Sequence, residues 1–127
     1  MHACLLDTNI LIDAINDRRG RKESLLRLLR AGVRLCCSAL TVVELFAGLR
    51  AEEEALANLV VSQLDVIHVT QEIAVQAGRA KYAWARKGTT LTVPDVVIAA
   101  TAMHHRMPLF TDNRRGFPMS EIVFHED

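Results

Sequence analysis

Four carboxylates stand where chemistry could be done. Asp7 follows the apolar pair Leu5-Leu6, Glu44 lies in a helical stretch after the apolar run Val33–Cys37, Asp95 follows Pro94, and Asp112 follows Phe110-Thr111. Each stands just past a short apolar run or at a helix start, which puts all four on one expected edge. Hard oxygen donors without His or Cys suit Mg²⁺ or Mn²⁺ rather than zinc. Crowded carboxylates repel, and at neutral pH they stay ionised only beside a compensating cation. Two such ions can activate a water and stabilise a leaving oxygen during in-line displacement, the chemistry of phosphodiester hydrolysis. Every one of the acids also has a plain local explanation. Thr41-x-x-Glu44 and Thr92-x-x-Asp95 fit capping boxes, and Pro94-Asp95 suits a first helical turn. Asp7-Thr8-Asn9 fits an Asx-type cap and Asp112-Asn113 a turn. Four unrelated caps on one edge is the less economical account.

The elements that must position these acids alternate between short apolar runs and helical periodicity. Ala3–Leu6, Val33–Cys37, Val66–Val69 and Leu109–Thr111 read as strands, with Ile122–Phe124 a short fifth. Helices are expected from Asn9 to Asn16, over the Leu25–Leu29 stripe, from Val42 to Arg50 and over Glu52–Ser62. A long one follows between Thr70 and Gly88, and a last one runs from Val96 to His104. This β-α alternation predicts an α/β chain, a three-layer α/β/α sandwich with a mainly parallel central sheet, as a single domain over 1–127. In such sheets ligands bind beyond the carboxyl ends of the strands.

Composition narrows the class further. With 127 residues, 50% hydrophobic and 24% charged, the chain is too apolar for disorder, and no apolar run reaches the length of a membrane span. Without a basic leader, and with Cys4, Cys36 and Cys37 reading as free apolar thiols, a cytoplasmic protein with no membrane contact is expected. Fifteen cations balance fifteen anions, but unevenly along the chain. Arg18, Arg19, Arg21 and Lys22 crowd one stretch and, beside an acidic centre, are candidates for holding a polyanion. His104-His105 falls at a helix end, where the dipole favours it, and no metal-ligand spacing surrounds it. Trp84 continues the apolar stripe of the long helix and is expected in the core.

The stretches LLDTNILID (Leu5–Asp13), SALTVVELFAGL (Ser38–Leu49), TVPDVVIAATAM (Thr92–Met103) and LFTDNRRGF (Leu109–Phe117) together resemble, in order and spacing, the motifs of PIN-domain proteins. They are most similar to the VapC-type ribonuclease toxins of bacterial and archaeal toxin–antitoxin pairs. The resemblance covers essentially the whole chain. It implies a PIN-like fold and a Mg²⁺- (or Mn²⁺-) dependent endoribonuclease, the toxin of a type II pair, which hydrolyses RNA phosphodiester bonds. It further implies a VapB-like antitoxin partner, with helices in the Val42–Phe46 half forming the antitoxin groove, and a homodimer. The family's acidic residues fall on Asp7, Glu44 and Asp95, with Asp7 and Asp95 the metal ligands. At the fourth position the family reads T-x-N or T-x-D, so Thr111 matches and either Asp112 or Asn113 is the inward residue. Thr8 and Thr111 are placed to orient Asp7, and Asn9 to bond a helix end or a phosphate. Two other readings compete: a non-catalytic PIN-like interaction module, and an aspartyl-nucleophile phosphotransferase, for which Asn9 stands where a second Asp is wanted.

Overall fold

The computed structural model describes residues 2–127. Side chains along the strands point alternately to opposite faces, and that alternation builds two cores. In β1 (Ala3–Leu6), Cys4 and Leu6 face one core and Leu5 the other. In β2 (Arg34–Ser38), Leu35 and Cys37 join the first core and Cys36 the second. With β3 (Asp65–Ile67) and β4 (Leu109–Phe110) these strands form one parallel sheet in the order β3-β2-β1-β4. Cys4 lies opposite Leu35, and Leu5 lies opposite both Cys36 and Leu109.

Helices α1 (Thr8–Ile15), α2 (Arg21–Arg30) and α4 (Glu54–Ser62) cover the first face, through Ile10, Leu11, Leu25 and Val60. Helices α5 (Gln71–Arg86) and α6 (Val93–His105) cover the second, where Ile73, Ala77 and the buried run Ile98–Ala102 pack with Trp84 at the margin. Helix α3 (Ala39–Ala47) leaves the end of β2 and touches α1, α4 and α6. Its Leu45 is buried, so it serves the core rather than a partner. Cys4 and Cys37 are enclosed on the first face, and burial pushes both thiols up to about 12, so they act as apolar filler. No helix among the described residues is long and apolar enough to cross a membrane.

Several strand and helix ends shift by one to two residues, and three differences from expectation have an identifiable local reason. Helix α3 opens at Ala39, not Val42, because the side chain of Ser38 caps it, accepting from Leu40 N at 3.1 Å. Thr41 therefore lies inside the helix and is not its cap. Helix α6 likewise opens at Val93, capped by Thr92. The expected fifth strand reduces to a single parallel bridge between Leu109 and Phe124, with Leu109 N donating to Val123 O and His125 N to Leu109 O, both at 2.8 Å. Strand β4 is only two residues long, so its outer edge has no further groups with which to extend a ladder.

The chain adds strands outward from β1 to β3, then returns to place β4 on the other side of β1. The direction of winding reverses between β1 and β4, and the crevice at their carboxyl ends is where such sheets bind ligands. Ser38 is wholly buried and holds the start of the helix that carries Glu44. Ser38→Ala should therefore cost about 1–2 kcal/mol in urea unfolding, the upper part of the range for a lost N-cap, because Leu40 N is then left without its acceptor. An unchanged midpoint would mean that the cap contributes nothing to the start of α3.

Candidate functional site

Asp7 is the first residue past β1, and its backbone N donates to Phe110 O at 2.9 Å, tying it to the end of β4. It is 5% exposed. Its Oδ1 caps α1 by accepting from Thr8 N at 2.8 Å, and its Oδ2 accepts from Thr111 Oγ1 at 2.7 Å, across 104 residues of sequence. Thr111 is itself held, because its Oγ1 accepts from Asn113 N at 2.9 Å. The Asx cap expected at Asp7 and a place in an acidic cluster are thus one geometry.

Glu44 arrives from the other direction. Thr8 Oγ1 lies 2.8 Å from Glu44 Oε1 and 3.1 Å from Thr41 Oγ1, so the buried Thr8 and Thr41 hydroxyls join α1 to α3 and hold one oxygen of Glu44. Ser38 takes the cap that Thr41-x-x-Glu44 would have formed, which leaves Glu44 one turn into the helix and facing Asp7. Asp95 enters from α6, where its backbone N donates to Thr92 Oγ1 at 3.2 Å. Gly116 packs so closely that a Cβ there would lie 2.5 Å from Asp95 Oδ2 and 2.9 Å from Asn113 Nδ2. The carboxylate and the amide therefore converge on one backbone position.

Burial pushes the Asp7 carboxyl above its ordinary range; the hydrogen bonds from Thr111 and Thr8 oppose that rise, while the charges of Asp95 and Glu44 add to it. Burial also raises Asp95, Thr92 opposes the shift, and Glu44 reinforces it. Among the described residues, no guanidinium or ammonium bears on either carboxyl. Three acids thus sit within electrostatic reach of one another with no side-chain counter-charge, which is the setting for a cation. Among the described residues, no three His, Cys, Asp or Glu side chains stand close enough to enclose an ion by themselves. The donors fit the other kind of site, in which Mg²⁺ or Mn²⁺ takes one or two carboxylates and completes its shell with water and substrate oxygens.

The remaining candidates are placed differently. Asp112 turns away from the acidic centre: Arg21 holds it through both Nε (3.3 Å) and Nη2, and Arg19 Nη1 lies 3.7 Å off. At the fourth position it is Asn113 that reaches Asp95's side of the site, not Asp112. Asn9 is exposed, as are Arg18, Arg19 and Lys22, whereas Arg21 is largely covered by its ion pairs. Sequence reasoning missed Gly116 and the hydroxyl role of Thr41. Thr41 carried a signal, its spacing from Glu44, that pointed to the wrong bond. Gly116 carried none, because only the fold brings it against Asp95.

Comparison with known proteins bears on the family and the fold. The PIN-domain family matches residues 4–122, a stretch that includes Asp7, Glu44 and Asp95. Ribonuclease VapC19 of Mycobacterium tuberculosis is 32% identical over 115 residues, covering 91% of this chain and 92% of the relative. The tRNA(fMet)-specific endonuclease VapC of Salmonella typhimurium is 30% identical over 128 residues, covering 97% and 96%. Among solved structures, a toxin–antitoxin complex from Klebsiella pneumoniae superposes with TM-score 0.77 at 30% identity, covering 98% of this chain and 99% of that one. DNA-bound VapBC from Salmonella typhimurium superposes with TM-score 0.82 at 26% identity, covering 98% of each. With the family pattern running through nearly the whole chain and its relatives matched end to end, this chain belongs to the PIN-domain family, in the VapC group.

Proposed function

We propose that this chain is a divalent-metal-dependent endoribonuclease, the toxin of a type II toxin–antitoxin pair, acting in the cytoplasm. The observation that carries the reading is a carboxylate, Asp7, locked at both oxygens beside two further acids that no protein cation neutralises. The relatives' names point to RNA as the substrate, and the donor set points to Mg²⁺ or Mn²⁺ on Asp7 and Asp95. A bound ion would supply Lewis-acid stabilisation of phosphate charge and an acidified water.

The chain's own residues do the rest. Thr8 N and Thr111 Oγ1 fix the plane of the Asp7 carboxylate, leaving each oxygen a second lone pair for an ion. Thr8 Oγ1 fixes Glu44 through Oε1, and Oε2 has no hydrogen-bond partner among the described residues. Oε2 is the atom placed to accept the proton of the attacking water. Gly116 gives Asp95 room, and Asn113, with no charge to add, occupies the fourth position without deepening the repulsion. Arg19, exposed and 3.7 Å from Asp112, would hold the RNA backbone, whereas Arg18 lies by Arg50 and Glu53 and Lys22 on the rim of the cleft between α2 and α4. Asp112 acts on Arg19 and Arg21 rather than on the ion.

Partner binding has its own surface. A cleft of about 340 Å³ between α1, α2 and α4 is lined mainly by Leu25, Leu26, Leu29, Leu56, Leu59 and Val60. An apolar cleft of this shape suits the amphipathic helix of a VapB-like antitoxin. Exposed Val43, Val75 and Val93 leave apolar surface for a homodimer.

Asp7→Asn and Asp95→Asn should each lower cleavage of total RNA with Mn²⁺ by about 10²-fold or more while circular dichroism stays unchanged. Wild-type rates in either variant would remove that residue from the site. Gly116→Ala should also stay folded, because Asp95 can swing away from the new methyl group. The displaced carboxylate should weaken Mn²⁺ binding by about 10–100-fold, and unaltered affinity in calorimetry would free Gly116 of any role.

The raised carboxyls also set a pH dependence. In chelator, folded Asp7 and Asp95 hold protons more tightly than the unfolded chain does. Their contribution therefore favours folding at acid pH and becomes a cost as pH rises through the raised values. Asp95→Asn should accordingly melt above wild type at pH 7 in chelator. Mn²⁺ at about 100 times its dissociation constant should stabilise wild type by about 2.7 kcal/mol and the variant far less. Melting curves indifferent to Mn²⁺ would overturn the metal site.

A further inference from the structure

We propose that the cavity next to the acidic centre is a subsite for an RNA backbone phosphate, and that the carboxylates of Glu126 and Asp127 occupy its arginines until RNA displaces them. The inference rests on the nuclease reading for the identity of its ligand, and it deepens that reading by adding a self-masking substrate site.

The cavity, about 530 Å³, shares its wall with the acidic centre. Thr111, which bonds Asp7, and Asn113, which meets Asp95 across Gly116, also line it, together with Arg21, Arg114, Arg115 and His125. A strand of RNA lying over the acids therefore has its neighbouring phosphates beside these guanidiniums. Among the described residues, every charged group that answers Arg21, Arg27 and Arg114 is a carboxylate of this chain, with the Ser24 hydroxyl also 3.3 Å from Arg27 Nη2. Asp127 Oδ2 lies 3.1 Å from Arg21 Nη1 and also accepts from Ser24 Oγ, while Asp127 Oδ1 lies 3.1 Å from Arg27 Nη2. Glu126 Oε1 lies 2.9 Å from Arg114 Nη2.

An oxyanion held by two guanidiniums and a hydroxyl, as Asp127 is by Arg21 Nη1, Arg27 Nη2 and Ser24 Oγ, is also how proteins hold phosphate, since a guanidinium binds either anion. The arginines are pre-oriented for it: Arg21 lies over the Phe110 ring at 5.0 Å and Arg114 over Phe124 at 4.8 Å. Partial burial opposes ionisation of Asp127, but Ser24, Arg27 and Arg21 outweigh it and hold the carboxyl below its usual range, so the mask is charged at neutral pH.

A second observation points to a missing ligand in the same wall. The His125 side chain is 9% exposed, with its ring 4.6 Å from that of Phe110, and its buried Nε2 has no hydrogen-bond partner among the described residues, lying 3.9 Å from Asp127 Oδ1. A buried ring nitrogen left unpaired costs free energy that an entering oxyanion would relieve. Asp112 keeps its own hold on Arg21, so displacement of Asp127 leaves that guanidinium oriented rather than loose.

The test is binding of a short fluorescein-labelled single-stranded RNA to the full chain in EDTA, followed by anisotropy over a range of salt. Removing the masking charges in Glu126→Gln/Asp127→Asn should tighten binding by about 3–10-fold and steepen the salt dependence by about 0.7 for each phosphate newly neutralised. Glu126→Gln alone, an exposed change that leaves the Asp127 tether intact, should give part of that tightening. Adding Arg21→Ala/Arg114→Ala should abolish it. Unchanged affinity and slope, a tightening that survives loss of both arginines, or no RNA bound by any form would each overturn the proposal. Tighter RNA binding without cleavage on adding Mn²⁺ would leave the subsite standing and sink the nuclease reading; cleavage with binding indifferent to the mask would do the reverse.

Discussion

The organisation of this protein follows from one costly placement, an aspartate carboxylate buried at the tip of the central strand with no cation of its own. Withdrawing such a charge from water is unfavourable unless hydrogen bonds and counter-charge replace the solvent. Here the hydrogen bonds come from the chain, through Thr8 N and Thr111 Oγ1, and the counter-charge does not. Glu44 and Asp95 worsen the imbalance rather than relieve it. An arrangement of this kind is electrostatically incomplete as protein alone, and its completion by a divalent ion and a polyanion is what the family's activity requires.

Stability and function are separated along the strands. The interior of the sheet is wholly apolar on both faces, with Leu5, Leu6, Ile10, Leu11 and Ile98 all buried to within 1%, and it carries the folding free energy. The carboxyl-terminal edge carries polar groups that work against one another. Buried hydroxyls of Thr8, Thr41 and Thr111 form the layer between them. Thr8 and Thr111 each bond a carboxylate and Thr41 bonds Thr8, so a network that costs little in the core aligns the groups that charge would otherwise drive apart.

Around that centre four arginines are already employed. Arg19 and Arg21 hold Asp112, Arg21 and Arg27 hold Asp127, and Arg114 holds Glu126. Pairs of this sort exchange readily with an incoming oxyanion, because half-exposed ion pairs are individually weak.

Much of this was legible from residue order. Local rules read the four parallel strands, the capped helices and the acids at strand ends, because the periodicity of apolar residues and the preferences of caps are short-range properties. They failed where two local signals competed, and where the deciding contact was distant. Ser38 outcompeted Thr41 for the cap of α3, which freed Thr41 to bond Thr8 across the fold. Strand β4 was too short to recruit Ile122–Phe124 as more than a bridge. At Thr111-Asp112-Asn113, adjacent residues differ only in which way they point. Arg21, 91 positions away, takes Asp112 outward, and Gly116 opens the space that Asn113 and Asp95 share. Residue types and spacing thus determined which chemistry this chain is equipped for. Only the tertiary structure decided which carboxylates meet, because that choice depends on strand order and on bonds such as the one from Thr111 to Asp7, 104 positions apart.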